Sequence, residues 1–307
     1  MECGQTSAPK PNLFLAAVHA LLLEGRAHEL RRFYPSLGGA CAEGDALWPA
    51  FRDFCLTHKG ELLPLLQSRR VQTNEVARAA VLLPAFGLVA ARTFGAPLAL
   101  IEVGASAGLL LLFDRYAYDY GTGVLGPAQS PVLLRCESRG PAPPPVRGRF
   151  PSIASRTGID LFPIDLREPG AATWLRALVW PDQTERAARL AGAIGLAASD
   201  PPTLLGGDAL TLTPRALAQV PAGAVPVVFH CHTLNQFRPE DRERFGAMLA
   251  GASVGKSLYR ISLEYMGGQW PGLTLWTYSD GALTAREELG FYQAHGDWLA
   301  WTLQNPD

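Results

Sequence analysis

One segment of the chain combines two apolar runs with a tight turn between them. Leu98–Val103 is apolar except for Glu102, a turn of glycine, alanine and serine follows, and residues 109–113 are apolar again. This order predicts a buried strand, a sharp turn and a helix that begins near Ala107 and ends near Arg115. We expect such a turn to leave backbone N–H groups free at the start of the helix, which favours an anionic or polar ligand.

The same turn also fits a second pattern. Gly104–Gly108 has the sequence Gly-Ala-Ser-Ala-Gly, and a serine between two glycines after a strand is typical of the nucleophile of serine hydrolases. Asp165, Asp208 and His295 follow in the order that such a triad requires. Two features oppose this interpretation, because the region before the strand is predicted to be helical and no glycine-rich oxyanion loop precedes the turn. A serine hydrolase using Ser106 is therefore kept as an alternative.

Charge and composition exclude some classes of partner. Among the 307 residues, 27 basic side chains balance 28 acidic ones, and 48% of residues are hydrophobic. This balance gives no electrostatic signature of binding to nucleic acid or to an anionic membrane. A chain of this length forms one large domain or a core domain with an appendage, and it needs no disulfide or metal for stability.

Cysteine usage and the lack of targeting signals predict a cytoplasmic protein. The five cysteines are scattered, odd in number and include no Cys-x-x-Cys pair, which is typical of reduced thiols. The first residues carry an early acid and no apolar segment, so we expect no signal peptide. The longest uncharged apolar stretch, Ala79–Ala91, has 13 residues. A membrane span needs about 20 residues, so we expect no membrane association.

Hydrophobic periodicity divides the chain into two parts. Residues 12–92 show helical spacing, which predicts a helical N-terminal cap region over residues 1–94. Strands and helices alternate over residues 95–307, as in an α/β domain with a largely parallel sheet. The irregular, proline-rich residues 116–151 are interpreted as an insertion. The helical region is predicted to be a lid or a dimerisation surface, and the sequence leaves the oligomeric state open.

Several strands and helices of the second part are predicted individually. One strand is expected to run into Asp165, and another to end before Asp208. The predicted strands are Leu98–Val103, Thr203–Leu205, Val225–His230 and Leu258–Leu263, the predicted helices lie within 171–198, 212–220 and 239–249, and a hairpin is expected from 274–278 with 288–303.

Residues 102–108 resemble the first motif of class I S-adenosylmethionine-dependent methyltransferases. That motif runs acid, apolar residue, Gly, x, Gly, x, Gly, and this chain departs from it because Ser106 replaces the middle glycine. More closely, the chain resembles a bacterial family of unknown function. The segments that carry this second resemblance are Gln72–Val76, Glu102–Leu109, Trp180–Gln183, Gly207–Ala209 and Val228–His230.

The resemblance implies a Rossmann-like methyltransferase core, a mostly parallel sheet with helices on both faces, that binds S-adenosylmethionine. Glu102 would hold the ammonium group of this cofactor, because a carboxylate suits a cation. Asp165 would bind the ribose hydroxyls, with Asp119 and Asp160 as alternatives. Asp208 would meet the adenine amino group. The implied cofactor-binding residues are together Glu102, Gly104, Ala105, Ser106, Gly108, Asp165, Asp208 and Ala209.

The resemblance also implies where the methyl acceptor binds. His230, His232 and Asn235 lie at and after the end of the predicted fourth strand, and they are the candidate catalytic residues. A histidine there would act as general base for an O–H or N–H nucleophile at neutral pH. Methyl transfer mainly needs alignment, so a base is not obligatory. No Asn/Asp-Pro-Pro-Tyr signature is present, and we expect a small-molecule acceptor.

Structural interpretations remain beside these functional ones. Glu102 and Asp208 are suited to cap the helices that follow them, and the glycines are suited to a tight turn. A non-catalytic nucleotide-binding or interaction protein on the same fold is therefore a further alternative.

The histidines near residue 230 also have a structural interpretation. His230 and His232 would point to opposite faces if extended, so one of them is expected to be structural. No metal site is expected, because these two histidines and Cys231 lack further ligands at the usual spacing.

Overall fold

The protein forms two compact units. A computed structural model describes residues 10–40, 45–146, 150–265 and 267–303. We call the first unit the helical unit; it comprises Met1–Asn74 and Asp165–Ile194. We call the second the sheet unit; it comprises Glu75–Ile164 and Gly195–Asp307. The segment 165–194 therefore groups with the N-terminal helices, and the first division falls after residue 74, whereas the sequence analysis placed it near residue 94.

The chain contains eight α-helices and twelve strands in its described residues. The helices are α1 Lys10–Leu23, α2 Leu47–Thr57, α3 Lys59–Ser68, α4 Ala79–Arg92, α5 Ala171–Ala177, α6 Thr184–Ser199, α7 Ala209–Ala218 and α8 Pro239–Ala252. The strands are β1 Leu98–Val103, β2 Ala117–Asp119, β3 Val124–Leu125, β4 Leu133–Arg135, β5 Glu137–Arg139, β6 Ile153–Asp160, β7 Thr203–Gly206, β8 Val225–Cys231, β9 Ser257–Glu264, β10 Gly272–Ser279, β11 Ala282–Tyr292 and β12 Trp298–Trp301.

The helical unit is organised around α1. Most of its side chains from Ala16 to Leu22 are buried, and α1 packs against both α3 and α5. Trp174 of α5 joins the same apolar core as Phe54 of α2. The packing of α5 onto α1 explains why a segment from the middle of the sequence belongs to the N-terminal unit.

The sheet unit contains a large, mostly parallel sheet. Its nine strands lie in the order β5-β12-β11-β10-β9-β8-β1-β6-β7, and the five from β9 to β7 are parallel to one another. β1 is buried along its whole length, as its continuous apolar run predicted. From β1 the chain proceeds to one side through β6 and β7, and later to the other side through β8 and β9. In such sheets ligands bind at the carboxyl ends of the strands where the order reverses, which is here between β1 and β8.

Helices cover both faces of this sheet. On one face, Phe86 of α4 stacks on Phe113 at 4.3 Å and meets the edge of Phe229 of β8 at 5.3 Å. On the other face, Val228 of β8 shares an apolar cluster with Phe245 of α8. Alternation along β8 therefore separates the side chains of consecutive residues onto two faces.

Most of the individually predicted elements are confirmed. The strands β1, β7, β8 and β9, the helices α5 to α8 and the antiparallel hairpin of β10 with β11 all lie where the sequence placed them, with shifted ends. Of the predicted insertion, residues 147–149 lie outside the described residues. The rest of it forms a three-stranded sheet, in the order β3-β2-β4, and the edge strand β5.

Two predicted elements are wrong. The strand expected to run into Asp165 is β6, which ends five residues earlier at Asp160 because the chain turns there. In place of the helix expected from Ala107, the chain forms 3₁₀ turns over Leu109–Arg115 with a kink at Leu112, whose φ and ψ are not helical. Gly108 has a left-handed φ of +70°, which is incompatible with a continuing helix, so the helix begins only after it.

The fold makes a direct prediction about Phe86. Phe86→Ala should lower the free energy of unfolding by about 3–5 kcal/mol, because a fully buried ring that contacts two others is lost and leaves a cavity. Phe94→Ala is the matched control, since Phe94 is 99% exposed and should change stability by less than about 0.5 kcal/mol. Urea unfolding measures both, and equal effects would contradict the packing.

Candidate functional site

The turn after β1 passes close to two other parts of the chain. Gly104 and Gly108 both have left-handed φ angles. A Cβ on Gly104 would lie 2.1 Å from Oγ1 of Thr233, and one on Gly108 would lie 2.7 Å from Cγ of Pro202. A side chain at either position would collide with the protein itself. Packing within the chain therefore explains both glycines.

The backbone N–H groups of this turn are bonded inside the protein. The N–H groups of Gly104 and Ala105 donate to the carbonyl oxygen of Ile159, that of Ser106 donates to Oδ2 of Asp160 at 2.8 Å, and that of Gly108 donates to the carbonyl oxygen of Ala105. These four N–H groups are therefore not free to bind a ligand. The turn is held against the end of β6 instead.

Glu102 of β1 lies next to this turn and is almost completely buried, at 2% exposure. Its Oε2 has no hydrogen-bond partner among the residues that the structure describes. Burial raises the pKa of Glu102 well above its usual range, Asp160 raises it further, and the guanidinium of Arg78 opposes both. Native proteins rarely leave a buried carboxylate oxygen unbonded, which marks Glu102 as a candidate functional residue.

Arg78 is a site residue that the sequence did not reveal. It ends a 3₁₀ helix, Val76–Arg78, is itself buried, and donates from Nε to the carbonyl oxygen of Ala294 at 2.8 Å. The groups on which its positive charge acts include the carboxyl of Glu102, the thiol of Cys231 and the ring of His232. The one sequence signal near it is the segment Gln72–Val76.

His230 is fully buried and both of its ring nitrogens are bonded. Nε2 lies 2.9 Å from Nε of Arg260, and Nδ1 lies 2.7 Å from Oε1 of Glu264. Because arginine only donates, Nε2 must accept, and the proton of the neutral ring sits on Nδ1 and is donated to Glu264. Burial lowers the pKa of His230 to about 4, so the neutral form prevails at pH 7. A role as general base would require one of these bonds to break.

Glu264, at the end of β9, is a second residue that the sequence did not reveal. Besides His230, its Oε1 accepts the backbone N–H groups of Thr233 and Leu234 at 2.8 and 2.9 Å. Burial alone would raise the pKa of Glu264, but these hydrogen bonds outweigh burial and lower it. The carboxylate thus fixes the turn that follows β8. Asn235, a predicted catalytic residue, lies in this turn, and its backbone N–H approaches Oε2 of Glu264 at 3.4 Å.

His232 is placed differently from His230. It has a left-handed φ of +53°, is half-buried, and its Nε2 is hydrogen-bonded to the hydroxyl of Tyr292 at 3.0 Å. Burial lowers the pKa of His232 to about 4, and the positive charge of Arg78 adds to this shift. We call Arg78, Glu102, Cys231, His232 and Tyr292 the Arg78 cluster.

The candidate acids for the ribose lie in different elements. Asp165 lies in the helical unit and is half-buried, and Arg167 lowers its pKa to about 2 through hydrogen bonds. Asp119 ends β2 in the small sheet. Asp160 ends β6, which follows β1 in the large sheet. It therefore holds the place at the strand end that the resemblance gives to the ribose-binding acid.

Asp208 follows the end of β7 and caps α7. Its Oδ2 accepts the backbone N–H of Thr211 at 3.0 Å, which is the usual role of an aspartate before a helix. Ala209 is the first residue of that helix and is buried. Asp208 thus has the helix-capping role that its position before a helix predicted.

The six histidines bear on the hydrolase alternative at Ser106. Their recorded ring partners are Ser36 for His19, Asp53 for His28, Glu61 for His58, Glu264 for His230, Tyr292 for His232 and Glu75 for His295. None of these partners is Ser106.

The ranges 10–40, 45–146, 150–265 and 267–303 lack two kinds of feature. In those ranges, no group of three or more histidine, cysteine, aspartate or glutamate side chains is arranged to hold a metal ion. No helix found there combines the length and the apolar character needed to cross a membrane.

Comparison with known proteins places the chain in a family. Residues 1–301 match the family described as "Uncharacterized protein conserved in bacteria (DUF2332)". The chain belongs to this family. No curated protein and no solved structure matches it.

Glu264 should be essential for the turn after β8. Glu264→Ala should lower the free energy of unfolding by about 3 kcal/mol or more, because it leaves two backbone N–H groups and a buried histidine without their acceptor. Glu264→Gln should lose less, since its amide oxygen still accepts. Glu243→Ala, on the exposed surface of α8, is the control for chemical denaturation. A small loss for Glu264→Ala would contradict the capping role.

His232 should make stability depend on pH. The unfolded chain takes up a proton near pH 6.5 and the folded chain only near pH 4, so this stabilisation is present above about pH 6.5 and is lost as the pH falls. Relative to His232→Asn, the wild type should lose about 1 kcal/mol of unfolding free energy between about pH 6.5 and 5. Asparagine tolerates the left-handed φ at this position.

The comparison with His232→Asn isolates His232 from Glu102. The raised pKa of Glu102 acts in the opposite direction, because it contributes stability at low pH that is lost as the pH rises. A difference between the two proteins that stays constant over this range would contradict the prediction.

Proposed function

We propose that this protein is a methyltransferase that binds S-adenosylmethionine at the carboxyl ends of β1 and β8 and acts on a small acceptor. The observation that carries the proposal is the buried carboxyl group of Glu102, which lies beside the point where the strand order reverses. Its Oε2 has no hydrogen-bond partner among the described residues. A buried carboxylate oxygen that accepts no hydrogen bond suits a cationic donor, and the amino-acid end of this cofactor carries an ammonium group.

The fit of the surrounding residues is uneven. The face of Gly104 is covered by Thr233 and that of Gly108 by Pro202, so the glycines offer no open backbone at the positions where a Cβ would stand. Glu102 itself fits the ammonium group, because its carboxylate is buried and has an oxygen left to accept. The proposal therefore rests mainly on Glu102. Ala105 and Ser106 are the other residues of the turn that would contact the cofactor.

Asp160 would take the ribose hydroxyls in place of Asp165. It stands at the end of β6, next to Glu102 along the parallel ends of the sheet, and its carboxylate already orients the backbone of Ser106. Asp208 follows β7, the next strand outward, and would contact the adenine amino group if its role as helix cap leaves an oxygen to accept. The acids of three adjacent strand ends would thus line one edge.

The acceptor side would be formed by the Arg78 cluster. When bound, S-adenosylmethionine supplies an electrophilic methyl group. His232 is neutral at pH 7 and half-buried, and its hydrogen bond to Tyr292 orients the ring, so His232 is better placed than His230 to receive a proton from the acceptor. Arg78 would attract an anionic part of the acceptor.

Isothermal titration with S-adenosylhomocysteine tests the proposal. We expect saturable binding that Glu102→Gln weakens about tenfold to a hundredfold, because a charge-assisted hydrogen bond is lost. Glu243→Gln, an exposed change on α8, should bind like the wild type. Absence of binding to the folded wild type, or equal binding by both variants, would overturn the proposal. Binding without methyl transfer to any of a broad panel of small acceptors would favour the non-catalytic alternative.

Binding should also release a proton from Glu102. The raised pKa means that the free carboxyl holds its proton to higher pH, whereas the ammonium group of the ligand favours the carboxylate. Affinity should therefore increase as the pH rises above about 4.5, the usual pKa of a glutamate. Calorimetry in two buffers of different ionisation enthalpy measures the released proton, and Glu102→Gln should abolish the release. A release that persists in this variant would assign the proton to another group.

A further inference from the structure

A cavity of about 160 Å³ lies within the helical unit. It is lined by two residues of α1, by Ser36 of the 3₁₀ helix Pro35–Leu37 and by residues at and after the end of α5. The side chains that matter for its chemistry are those of His19, Leu23, Ser36, Arg176, Val179 and Trp180. For scale, an apolar cavity of roughly 150 Å³ accommodates a benzene ring.

Two polar side chains of this cavity are bonded to each other. Nε2 of His19 lies 2.8 Å from Oγ of Ser36, and Nδ1 of His19 lies 3.1 Å from the carbonyl oxygen of Ala177. The ring also hydrogen-bonds the backbone of Val179. In the tautomer that carries its proton on Nδ1 and donates it to Ala177, Nε2 accepts the hydroxyl proton of Ser36. A serine, a base and a group that orients the base therefore stand in sequence.

The segment Trp180–Gln183, which the sequence singled out, holds this arrangement in place. The carbonyl oxygen of Pro181 accepts the backbone N–H of Ser36 at 2.9 Å. Trp180 lines the cavity and is 45% exposed, so an indole ring borders it beside the cationic side chain of Arg176. A conspicuous motif thus surrounds Ser36 and takes no part in the methyltransferase proposal.

We propose that Ser36 is a nucleophile, with His19 as its general base, in a second site that hydrolyses esters of short-chain carboxylic acids. Oγ of Ser36 would bond to the acyl carbon while its proton passes to Nε2 of His19, and the departing alcohol would take that proton. Water would then attack the acyl-serine, give its proton to His19, and release the carboxylic acid with Ser36 restored. Arg176 provides positive charge for the acyl oxygen, on which negative charge develops.

The state of His19 agrees with this role. Burial lowers the pKa of His19 from its usual value, while its backbone hydrogen bonds oppose the shift and the charge of Arg176 adds to it. The other titratable ring against it is that of Tyr34, with centroids 5.4 Å apart. His19 is thus neutral at pH 7 with its lone pair directed at Ser36, and the hydrolysis rate should fall only as the pH drops below about 6.5.

Hydrolysis of 4-nitrophenyl acetate by the full chain tests the proposal. The rate should fall about a hundredfold or more, to the uncatalysed background, in Ser36→Ala. Ser68→Ala is the matched control, since Oγ of Ser68 donates to the carbonyl oxygen of Pro64 on α3, and it should keep the wild-type rate. A fluorophosphonate probe should label Ser36, and mass spectrometry of the labelled peptide locates the adduct.

The outcomes separate this site from the turn after β1. An adduct on Ser36 that is lost in Ser36→Ala, with unchanged binding of S-adenosylhomocysteine, would support a second site. An adduct on Ser106, a rate that Ser36→Ala leaves unchanged, or a folded wild type that neither turns over the ester nor takes the label would overturn the proposal.

Discussion

The carboxylate of Glu264 is the interaction on which the geometry of the sheet's carboxyl edge depends. It accepts hydrogen bonds from His230 and from the backbone of the turn after β8, and it thereby fixes the position of Thr233. Thr233 in turn lies against Gly104, where a Cβ would approach its Oγ1 to 2.1 Å. The turn after β1 can therefore take its shape only if Glu264 holds the neighbouring turn. A single buried acid on β9 connects three strand ends.

Alternation along β8 then decides the chemistry of each face. His230 lies on the face that packs against Phe245, where both ring nitrogens are bonded. Cys231 points to the opposite side, where the charges of Arg78 and Glu102 act on it, and burial raises its pKa to about 12. Cys231 of the Arg78 cluster and His230 therefore lie on opposite faces of the sheet.

Two serines illustrate the difference between a motif and a site. Ser106 has the flanking glycines of a hydrolase nucleophile, but its backbone N–H is bonded to Asp160, and the histidines have their recorded partners elsewhere. Ser36 lies in none of the motifs that the sequence shows, yet its Oγ lies 2.8 Å from Nε2 of the buried His19. The spacing of the glycines that flank Ser106 indicates a turn, and it does not indicate a base beside the serine. The encounter of a serine with a base 17 positions away requires the packing of α1 against a 3₁₀ helix.

The sequence by itself determined the parallel strands and the hairpin, because continuous apolar runs such as Leu98–Val103 are stable only when both faces are covered. It also predicted that Glu102 would stand beside a glycine turn. The tertiary structure alone decided that Asp160 rather than Asp165 ends β6, that Gly104 makes room for Thr233, and that Arg78 and Glu264 supply the charges. These depend on contacts between residues far apart in the chain, which hydrophobic periodicity does not encode.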